Sequence, residues 1–263
     1  MAQKKYKLTD ETRTVEGHIL HRIKALRDVW ALSVHVKAGD LGGWVESENN
    51  LAQEGECWIY GNAMVYDAAA VVDNAVVMAE AVVHGKACIH ELARISGHAV
   101  VSGFSSVSGT ASITEYASVN GWPRISGDAV VFGSATVTDY AEIWECSHIF
   151  GNAKVAEWAS IHGNARISGK AVIKGDAEIV GGAYISGNAE VNETSDYALY
   201  YATWHNAESV TYTRSNKTWD VGTFRGSGED LIAMANAIDH RVGKCFENLV
   251  QAQEAIDAAI NQS

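Results

Sequence analysis

The chain has 263 residues, a formal net charge of −12 and an apolar content of 47%, which is enough for a buried core. An acidic surface repels phosphate backbones, so we do not expect direct nucleic-acid binding, although the acidity would suit a basic partner or the mimicry of a polyanion. The N-terminal residues lack the apolar stretch of a signal peptide, and no apolar run is long enough to cross a membrane, so we expect a cytoplasmic protein.

Residues 1–56 predict short strands that cap the end of a larger unit. The best candidates are residues 21–26 and 29–34, which are rich in β-branched and aromatic side chains. Residues 42–45 predict a further strand, and a polar turn then leads into residues 57–60. We therefore expect an N-terminal β capping segment that ends at residue 56.

From residue 57 to residue 192 the sequence repeats every six residues. From Ile59 to Val191, all 23 positions at this spacing are Ile or Val, and a small residue follows nearly every one of them four positions later. Gly is frequent two positions after the Ile or Val, where a turn needs unusual backbone angles. Because β-branched residues suit inward strand positions, we expect three steps to close one triangular coil. Seven to eight coils, stacked about 4.8 Å apart, predict an all-β, single-stranded parallel β-helix.

This period resembles that of hexapeptide-repeat proteins, which implies that the β-helix is left-handed. The segment DLGGWVESENNLAQEGECWIYGNA, residues 40–63, is similar to the opening of the β-helix in the bacterial YdcK family, whose members are classed as acyltransferases. The resemblance covers residues 1–192. It implies acyl-CoA lying along the prism and a histidine between subunits as general base. Such acyltransferases often extrude a loop from a coil, whereas no insertion interrupts the 23 steps here.

Beyond Asn192 the six-residue phase ends, and residues 193–263 predict a C-terminal α+β module. Residues 209–213 and 218–224 predict a hairpin. Ser227 is a candidate N-cap for a helix that begins after it, because two acidic residues fill the expected first turn. The hairpin and the segment VGTFRGSGEDLI resemble a small module of phage-encoded repeat proteins, which implies a phage or prophage origin.

The C-terminal helix carries apolar or small residues at alternating spacings of four and three, a heptad pattern. One interpretation is a helix or helix pair packed on the end of the prism, and the other is a self-associating coiled coil. Gly243 weakens a continuous helix, so we expect any division into two helices there. The residues predicted for oligomerisation are Leu231, Ala235, Ile238, Val242, Cys245, Leu249 and Ile256.

Residues 18 apart are expected to stack directly on successive coils. One such column carries four consecutive aromatic side chains and predicts an exposed ladder about 15 Å long. Aromatic residues dominate interface hot spots, so this edge predicts a binding surface for a foreign partner or a second copy; alternatively, terminal segments of the chain cover it. Tyr116 lies on a neighbouring turn column. The predicted binding residues are Phe104, Trp122, Tyr140, Trp158, Tyr116, Phe132 and Phe150.

The histidines of the repeat predict no catalytic or metal site. His90 and His162 share a column but lie four coils apart, roughly 19 Å, which is too far for one metal ion. We expect five histidines to be solvated outward residues: His84, His90, His98, His148 and His162. The four cysteines form no CxxC pair, and no phosphate-binding glycine motif or nucleophile elbow occurs, so no cofactor is predicted.

These observations favour a non-enzymatic binding or scaffold protein of phage or prophage origin that acts inside a bacterium. Its rigid surface would engage a protein partner. Inhibition of a host-defence component is one form of this hypothesis. We also expect a homo-oligomer, either a dimer or a trimer. The alternative is a CoA-dependent hexapeptide acyltransferase. A third hypothesis is a small-ligand sponge that holds nucleotides between subunits by aromatic stacking.

Overall fold

The computed structural model describes residues 4–32, 34–201 and 209–260. Its centre is a parallel β-helix of about eight turns, in which each six-residue step supplies one two-residue strand. The predicted fold class, a left-handed parallel β-helix with an N-terminal β cap and a C-terminal hairpin-plus-helix module, is confirmed. Neither helix in the described part of the chain is long and apolar enough to cross a membrane.

The coils present three faces, which we number in chain order. The first face consists of Met64–Val65, Val82–Val83, Val100–Val101, Ser118–Val119, Thr136–Val137, Lys154–Val155, Val172–Ile173 and Glu190–Val191. The second face consists of Ala70–Val71, Cys88–Ile89, Ser106–Val107, Arg124–Ile125, Glu142–Ile143, Ser160–Ile161 and Glu178–Ile179. The third face consists of Trp58–Ile59, Val76–Val77, Arg94–Ile95, Ser112–Ile113, Val130–Val131, His148–Ile149, Arg166–Ile167 and Tyr184–Ile185.

Each two-residue strand sends its second side chain into the prism and its first side chain outward. The inward Ile and Val residues are fully buried, and the small residue that precedes each strand is buried at the corner. Coils hydrogen-bond to the next coil, as when the N–H of Val100 donates to the carbonyl of Ala117 at 3.0 Å. Cα pairing of Ser106 with Arg124, and of Arg124 with Glu142, confirms the 18-residue rung.

The turn at each corner needs a left-handed backbone, and where glycine does not supply it acidic residues do, except at Ala79, with φ +60°. Gly109, for example, has φ +65°. Seven acidic residues also adopt positive φ at this turn position: Asp67, Asp73, Glu91, Glu115, Asp139, Glu145 and Glu157. Each of their carboxylates accepts a hydrogen bond from the backbone N–H at the same position of the next coil. This bond offsets the steric cost of a side chain in that conformation.

The N-terminal segment closes the open edge of the first face. Its strands are β1 (Tyr6–Val15), β2 (His18–Ala25), β3 (Val29–Ala31), β4 (Val34–Val36) and β5 (Leu41–Val45). β1, β2 and β5 pair antiparallel, whereas β5 pairs in parallel with Met64–Val65, so parallel pairing already begins within the capping segment. The strand predicted at residues 29–34 ends earlier than expected, because β3 and β4 form a small hairpin there. An antiparallel cap leaves the parallel sheet no open edge at this end.

The C-terminal module lies against the last coil. After the β-helix strands β6 to β28, it consists of β29 (Tyr197–Tyr201), β30 (Ser209–Thr213), β31 (Thr218–Val221), β32 (Phe224–Gly226), α1 (Gly228–Ile238) and α2 (His240–Ile260). The predicted hairpin is confirmed as β30 and β31, although Phe224 belongs to the following strand. The hydroxyl of Thr211 accepts the N–H of Tyr184 at 2.9 Å, which joins β30 to the final coil.

The predicted helix is divided, but the division lies at Asp239 and not at Gly243. Ser227 caps α1 as predicted, in a reciprocal capping box with Asp230. Asp239 leaves the helical conformation, and its carboxylate accepts the N–H of Arg241 at 2.7 Å. Gly243 lies inside α2, where an added Cβ would meet the side chain of Asn236 in α1. Glycine therefore permits close packing of the two helices and does not break either one.

Candidate functional site

Four aromatic side chains form one column on the corner between the first and second faces. Ring centroids are 5.2 Å apart for Phe104 and Trp122, 5.3 Å for Trp122 and Tyr140, and 4.2 Å for Tyr140 and Trp158, with planes within 11° of parallel. Lys86 Nζ lies 4.8 Å from the Phe104 centroid and continues the column. We call these four rings the aromatic ladder. Its alignment follows the 18-residue rung, and its role in binding stays a prediction.

Stacking covers the faces of the rings and leaves their edges exposed. Exposure of the side chains ranges from 41% for Tyr140 to 62% for Trp158. Parallel rings at these separations leave no space for a planar ligand between two of them. The end at Phe104 is covered by Lys86, so a nucleobase has no free ring face at that end. A partner would therefore meet a ridge of ring edges.

A shallow groove of about 890 Å³ runs beside the aromatic ladder on the second face. Its floor is formed by the outward residues of four successive strands, Ser106, Arg124, Glu142 and Ser160. Arg124 Nη1 lies 4.0 Å from Glu142 Oε1, and both side chains are exposed. We call this the aromatic groove. Its volume is that of a small-molecule site, and its floor offers one cation, one carboxylate and two hydroxyls.

A histidine contacts one residue of the groove floor from the opposite edge of the second face. His90 Nε2 lies 3.1 Å from the Ser106 hydroxyl oxygen, next to the Phe104 end of the aromatic ladder. His90 lies on the outer surface of the coils, as predicted, but its side chain is half-buried and bonds to the next coil. Comparison of residues 18 apart could not find this pair, because its members are 16 apart and lie diagonally across two coils.

His162 occupies the equivalent position four coils further along and is also enclosed. Its ring stacks on Trp144 with centroids 4.5 Å apart. Nε2 lies 3.1 Å from Glu178 Oε1, and Nδ1 lies 3.9 Å from Glu145 Oε2. Both ring nitrogens of His162 face carboxylates, so neither is directed at the groove floor.

The remaining predicted aromatic residues lie on another edge of the prism. Tyr116 stacks on His98 with centroids 5.0 Å apart, and Phe132 stacks on Phe150 at 5.0 Å. These pairs belong to the turns between the third and first faces. The structure therefore brings Phe104, Trp122, Tyr140 and Trp158 together with the groove and separates Tyr116, Phe132 and Phe150 from it.

The residues predicted for oligomerisation divide into two groups. Leu231 and Ala235 are buried in the core of the C-terminal module. Val242 and Leu249 are half-buried and pack against that core. Those on the surface are Ile238, Cys245 and Ile256. The break at Asp239 ends the continuous heptad seam, and self-association through these residues stays a prediction.

One histidine ties the N-terminal cap to the coils. His18 Nδ1 lies 3.0 Å from Glu46 Oε1, and Nε2 lies 3.5 Å from Asp67 Oδ1. The hydrogen bond to Glu46 raises the pKa of His18, and the nearby charges of Glu46 and Asp67 act in the same direction. These three residues are also a group that could offer ligand atoms to a metal ion, because those atoms lie within 4.8 Å of one another. The bridging of two carboxylates by one imidazolium accounts for this arrangement by itself.

The surroundings of His148 disfavour the charged form of its imidazole. Burial lowers the pKa of His148, and the nearby positive charge of Arg166 adds to that effect. The side chain lies on the third face, away from the aromatic groove. It provides a histidine outside the groove that can be compared with His90.

Comparison with known proteins supports the repeat class over a short stretch. No protein-family model matches the chain. An uncharacterized acetyltransferase of Escherichia coli strain K12, YdcK, is 40% identical over 65 residues, which are 22% of this chain and 19% of that protein. The chain thus matches about a fifth of the length of this relative. The match and the observed coils fit a hexapeptide-repeat β-helix, while the phage-type resemblance of the C-terminal module stays a prediction.

Proposed function

We propose that this protein is a hexapeptide-repeat acyltransferase whose substrates lie along the aromatic groove. The observation that carries the proposal is the contact between His90 Nε2 and the Ser106 hydroxyl at the Phe104 end of the groove. The local similarity to an E. coli acetyltransferase supports the same reaction class. An imidazole at the edge of a groove of this size is suitably placed to accept a proton from an incoming nucleophile.

In this proposal His90 is the general base, and Ser106 passes the proton to it. The acceptor's amine or hydroxyl attacks the thioester carbonyl and gives its proton to the Ser106 hydroxyl, which gives its own proton to His90 Nε2. The thiol leaves with a proton returned along the same path. Arg124 lies one rung from Ser106 and offers an exposed guanidinium to the phosphates of an acyl-CoA. No insertion covers the groove in the described β-helix strands, so a second subunit on this face would provide the cover.

Calorimetry with acetyl-CoA and an assay of thiol release test this function. We expect binding by the wild type, weaker binding by Arg124→Ala, and loss of thiol release with retained binding in His90→Gln. His148→Gln is the matched control, because it removes a repeat histidine on the third face and should leave both measurements unchanged. Absence of binding heat at millimolar acetyl-CoA would remove the acyltransferase proposal.

A second candidate is the non-catalytic binding protein that the sequence favours. The exposed ring edges of the aromatic ladder support it, together with Arg124, because Trp, Tyr and Arg are the residue types most common in interface hot spots. A protein partner, a host-defence target and a phage origin are parts of this proposal. Light scattering of a Trp122→Ala and Trp158→Ala double variant should show a smaller assembly if the ladder joins copies of the chain. Tyr116→Ala is its control, and an unchanged mass for the double variant would refute self-association through the ladder.

A further inference from the structure

The beginning of the chain places a lysine amine against a cysteine thiol in the interior. Lys5 and Cys57 are both fully buried. Lys5 Nζ lies 3.0 Å from Cys57 Sγ, 2.9 Å from the Cys57 carbonyl oxygen and 3.2 Å from the Glu54 carbonyl oxygen. Lysine is almost never fully buried in proteins unless it is paired, so this position is exceptional.

Backbone hydrogen bonds hold both residues in place. The N–H of Lys5 donates to Gln53 Oε1 at 2.8 Å, and its carbonyl accepts the N–H of Leu26 at 2.9 Å. The N–H of Cys57 donates to the carbonyl of Asp73 at 2.9 Å. The amine and the thiol are therefore carried by fixed backbone segments, and their contact does not depend on a mobile side chain from the surface.

Burial acts against the charged form of each group. Burial lowers the pKa of Lys5, against the opposing effect of Cys57. Burial also raises the pKa of Cys57, against the opposing effect of Lys5. A neutral amine has a free lone pair, which an ammonium group lacks. In the described residues, no hydrogen bond joins a lysine to Cys88, Cys146 or Cys245, so the contact between an amine and a thiol is particular to Cys57.

We propose that Lys5 and Cys57 form an oxidation-dependent covalent crosslink, in which one oxygen atom bridges Nζ and Sγ. Hydrogen peroxide converts the thiol to a sulfenic acid and releases water. A second hydrogen peroxide converts the amine to a hydroxylamine and releases water. Condensation of the two hydroxyl-bearing groups forms the S–O–N bridge and releases a third water. The sulfur and the nitrogen each lose two electrons, which the two peroxides accept.

The bridge would staple the N-terminal strand to the first coil. It would close the loop between Lys5 and Cys57 and restrict the unfolded chain, as a disulfide does. Local opening of the terminal strand would admit peroxide to the site. A thiol reductant can attack its sulfur and open the bridge, which restores the Cys57 thiol and leaves Lys5 as a hydroxylamine. It would thus make attachment of the cap sensitive to oxidation.

Mass spectrometry of the full-length protein tests the crosslink directly. The protein is reduced with dithiothreitol, exchanged into buffer and treated with hydrogen peroxide. We expect the intact mass to rise by one oxygen less two hydrogens and the peptides of Lys5 and Cys57 to be joined. Dithiothreitol should separate the peptides, restore the Cys57 thiol and leave one added oxygen on Lys5 as a hydroxylamine. This measurement uses the wild-type chain, so it does not depend on the folding of a variant.

Variants identify the atoms involved. Cys57→Ser and Lys5→Arg should abolish the joined peptide, whereas Cys88→Ser should retain it. The Tm of the oxidised wild type should exceed that of the reduced protein, and this difference should vanish in Cys57→Ser. A loss of two hydrogens with joined peptides would show a direct N–S bond and overturn the oxygen bridge. Oxidation of Cys57 without joined peptides, or no change in mass, would overturn the proposal entirely.

Discussion

The β-helix and the C-terminal module are built by opposite rules. In the β-helix, each coil contacts the coils before and after it, and every interior position repeats the same inward Ile or Val. In the module, contacts join segments without a common period. Tyr200 OH bonds to Gln253, and Tyr212 OH lies 2.5 Å from Asp257, each across more than 40 residues of sequence. In the periodic region, contacting residues can therefore be found from their spacing of 18 in the sequence. In the module, contacting residues depend on how one particular core packs.

The largest expected effect comes from the core of the module. Leu231 is fully buried there, so Leu231→Ala should cost about 2–5 kcal/mol. Hydrogen exchange measured by mass spectrometry should show lost protection in residues 209–260 and unchanged protection in residues 57–192. Ile238→Ala is the control, since Ile238 is 61% exposed and should change stability by less than about 0.5 kcal/mol. Loss of protection throughout the β-helix would contradict the separation of the two regions.

An ion pair at their junction, in which only the carboxylate is buried, gives the next effect. Asp220 is 1% exposed in its side chain, and its carboxylate accepts bonds from Arg225 Nε at 2.8 Å and from the Ser186 hydroxyl. Arg225→Gln should destabilise the module by about 1–3 kcal/mol at neutral pH, because it leaves the carboxylate without its cation. Denaturant unfolding of this variant and of Asp220→Asn/Arg225→Gln should show partial recovery in the double variant.

The pH dependence of that variant has a definite sign. Burial raises the pKa of Asp220, and its bonds to Arg225 and Ser186 oppose that rise. A raised folded-state pKa favours the folded protein at low pH, and this contribution is lost as the pH rises through that pKa. Without Arg225 the pKa should rise further, so Arg225→Gln should lose less stability in mild acid than at neutral pH. An equal loss at both pH values would show that Arg225 does not act on the carboxylate.

A corner of the β-helix offers a smaller effect with a matched pair of variants. At Gly109, with φ +65°, an added Cβ would lie 2.6 Å from the Gly127 carbonyl oxygen. Gly109→Ala should cost at least about 1–2 kcal/mol. Gly109→Asp should cost about 1 kcal/mol less than Gly109→Ala, because its carboxylate can accept the N–H of Gly127 as Glu91 accepts that of Gly109.

Urea unfolding measures this pair, with Gly61→Ala as the control. An added Cβ at Gly61 would have its nearest neighbour at 3.5 Å, so that substitution should cause only the strain of the left-handed backbone. If Gly109→Asp is as destabilising as Gly109→Ala, the acidic residues at the other corners do not stabilise by this bond.

The smallest expected effect is the pH dependence of the N-terminal cap. The folded-state pKa of His18 is raised by its bond to Glu46. Its contribution should therefore be complete below the unfolded value of about 6.5 and be lost as the pH rises through the higher folded value. Hydrogen exchange in residues 18–25 should slow relative to His18→Gln at mildly acidic pH. The two proteins should converge at alkaline pH, and a constant difference would contradict a role for the imidazolium.

Prediction from the sequence succeeded for contacts between residues 18 apart and failed for contacts at other spacings. The column of Phe104, Trp122, Tyr140 and Trp158 follows directly from 18-residue stacking. The bond between His90 and Ser106 was missed because it runs diagonally to the next coil. The helix break was placed at Gly243 from its weak helix propensity, but close packing against Asn236 explains that glycine.

The six-residue period specifies the coils, their inward residues and the rung on which each outward side chain lies, because it leaves each coil the same two neighbours. Folding in three dimensions brings the aromatic ladder next to Ser106, Arg124 and His90, and places Lys5 against Cys57. Those contacts depend on side-chain direction and on how the terminal segments fold back onto the coils. Neither has a periodic signature in the chain, so only packing in three dimensions selects them.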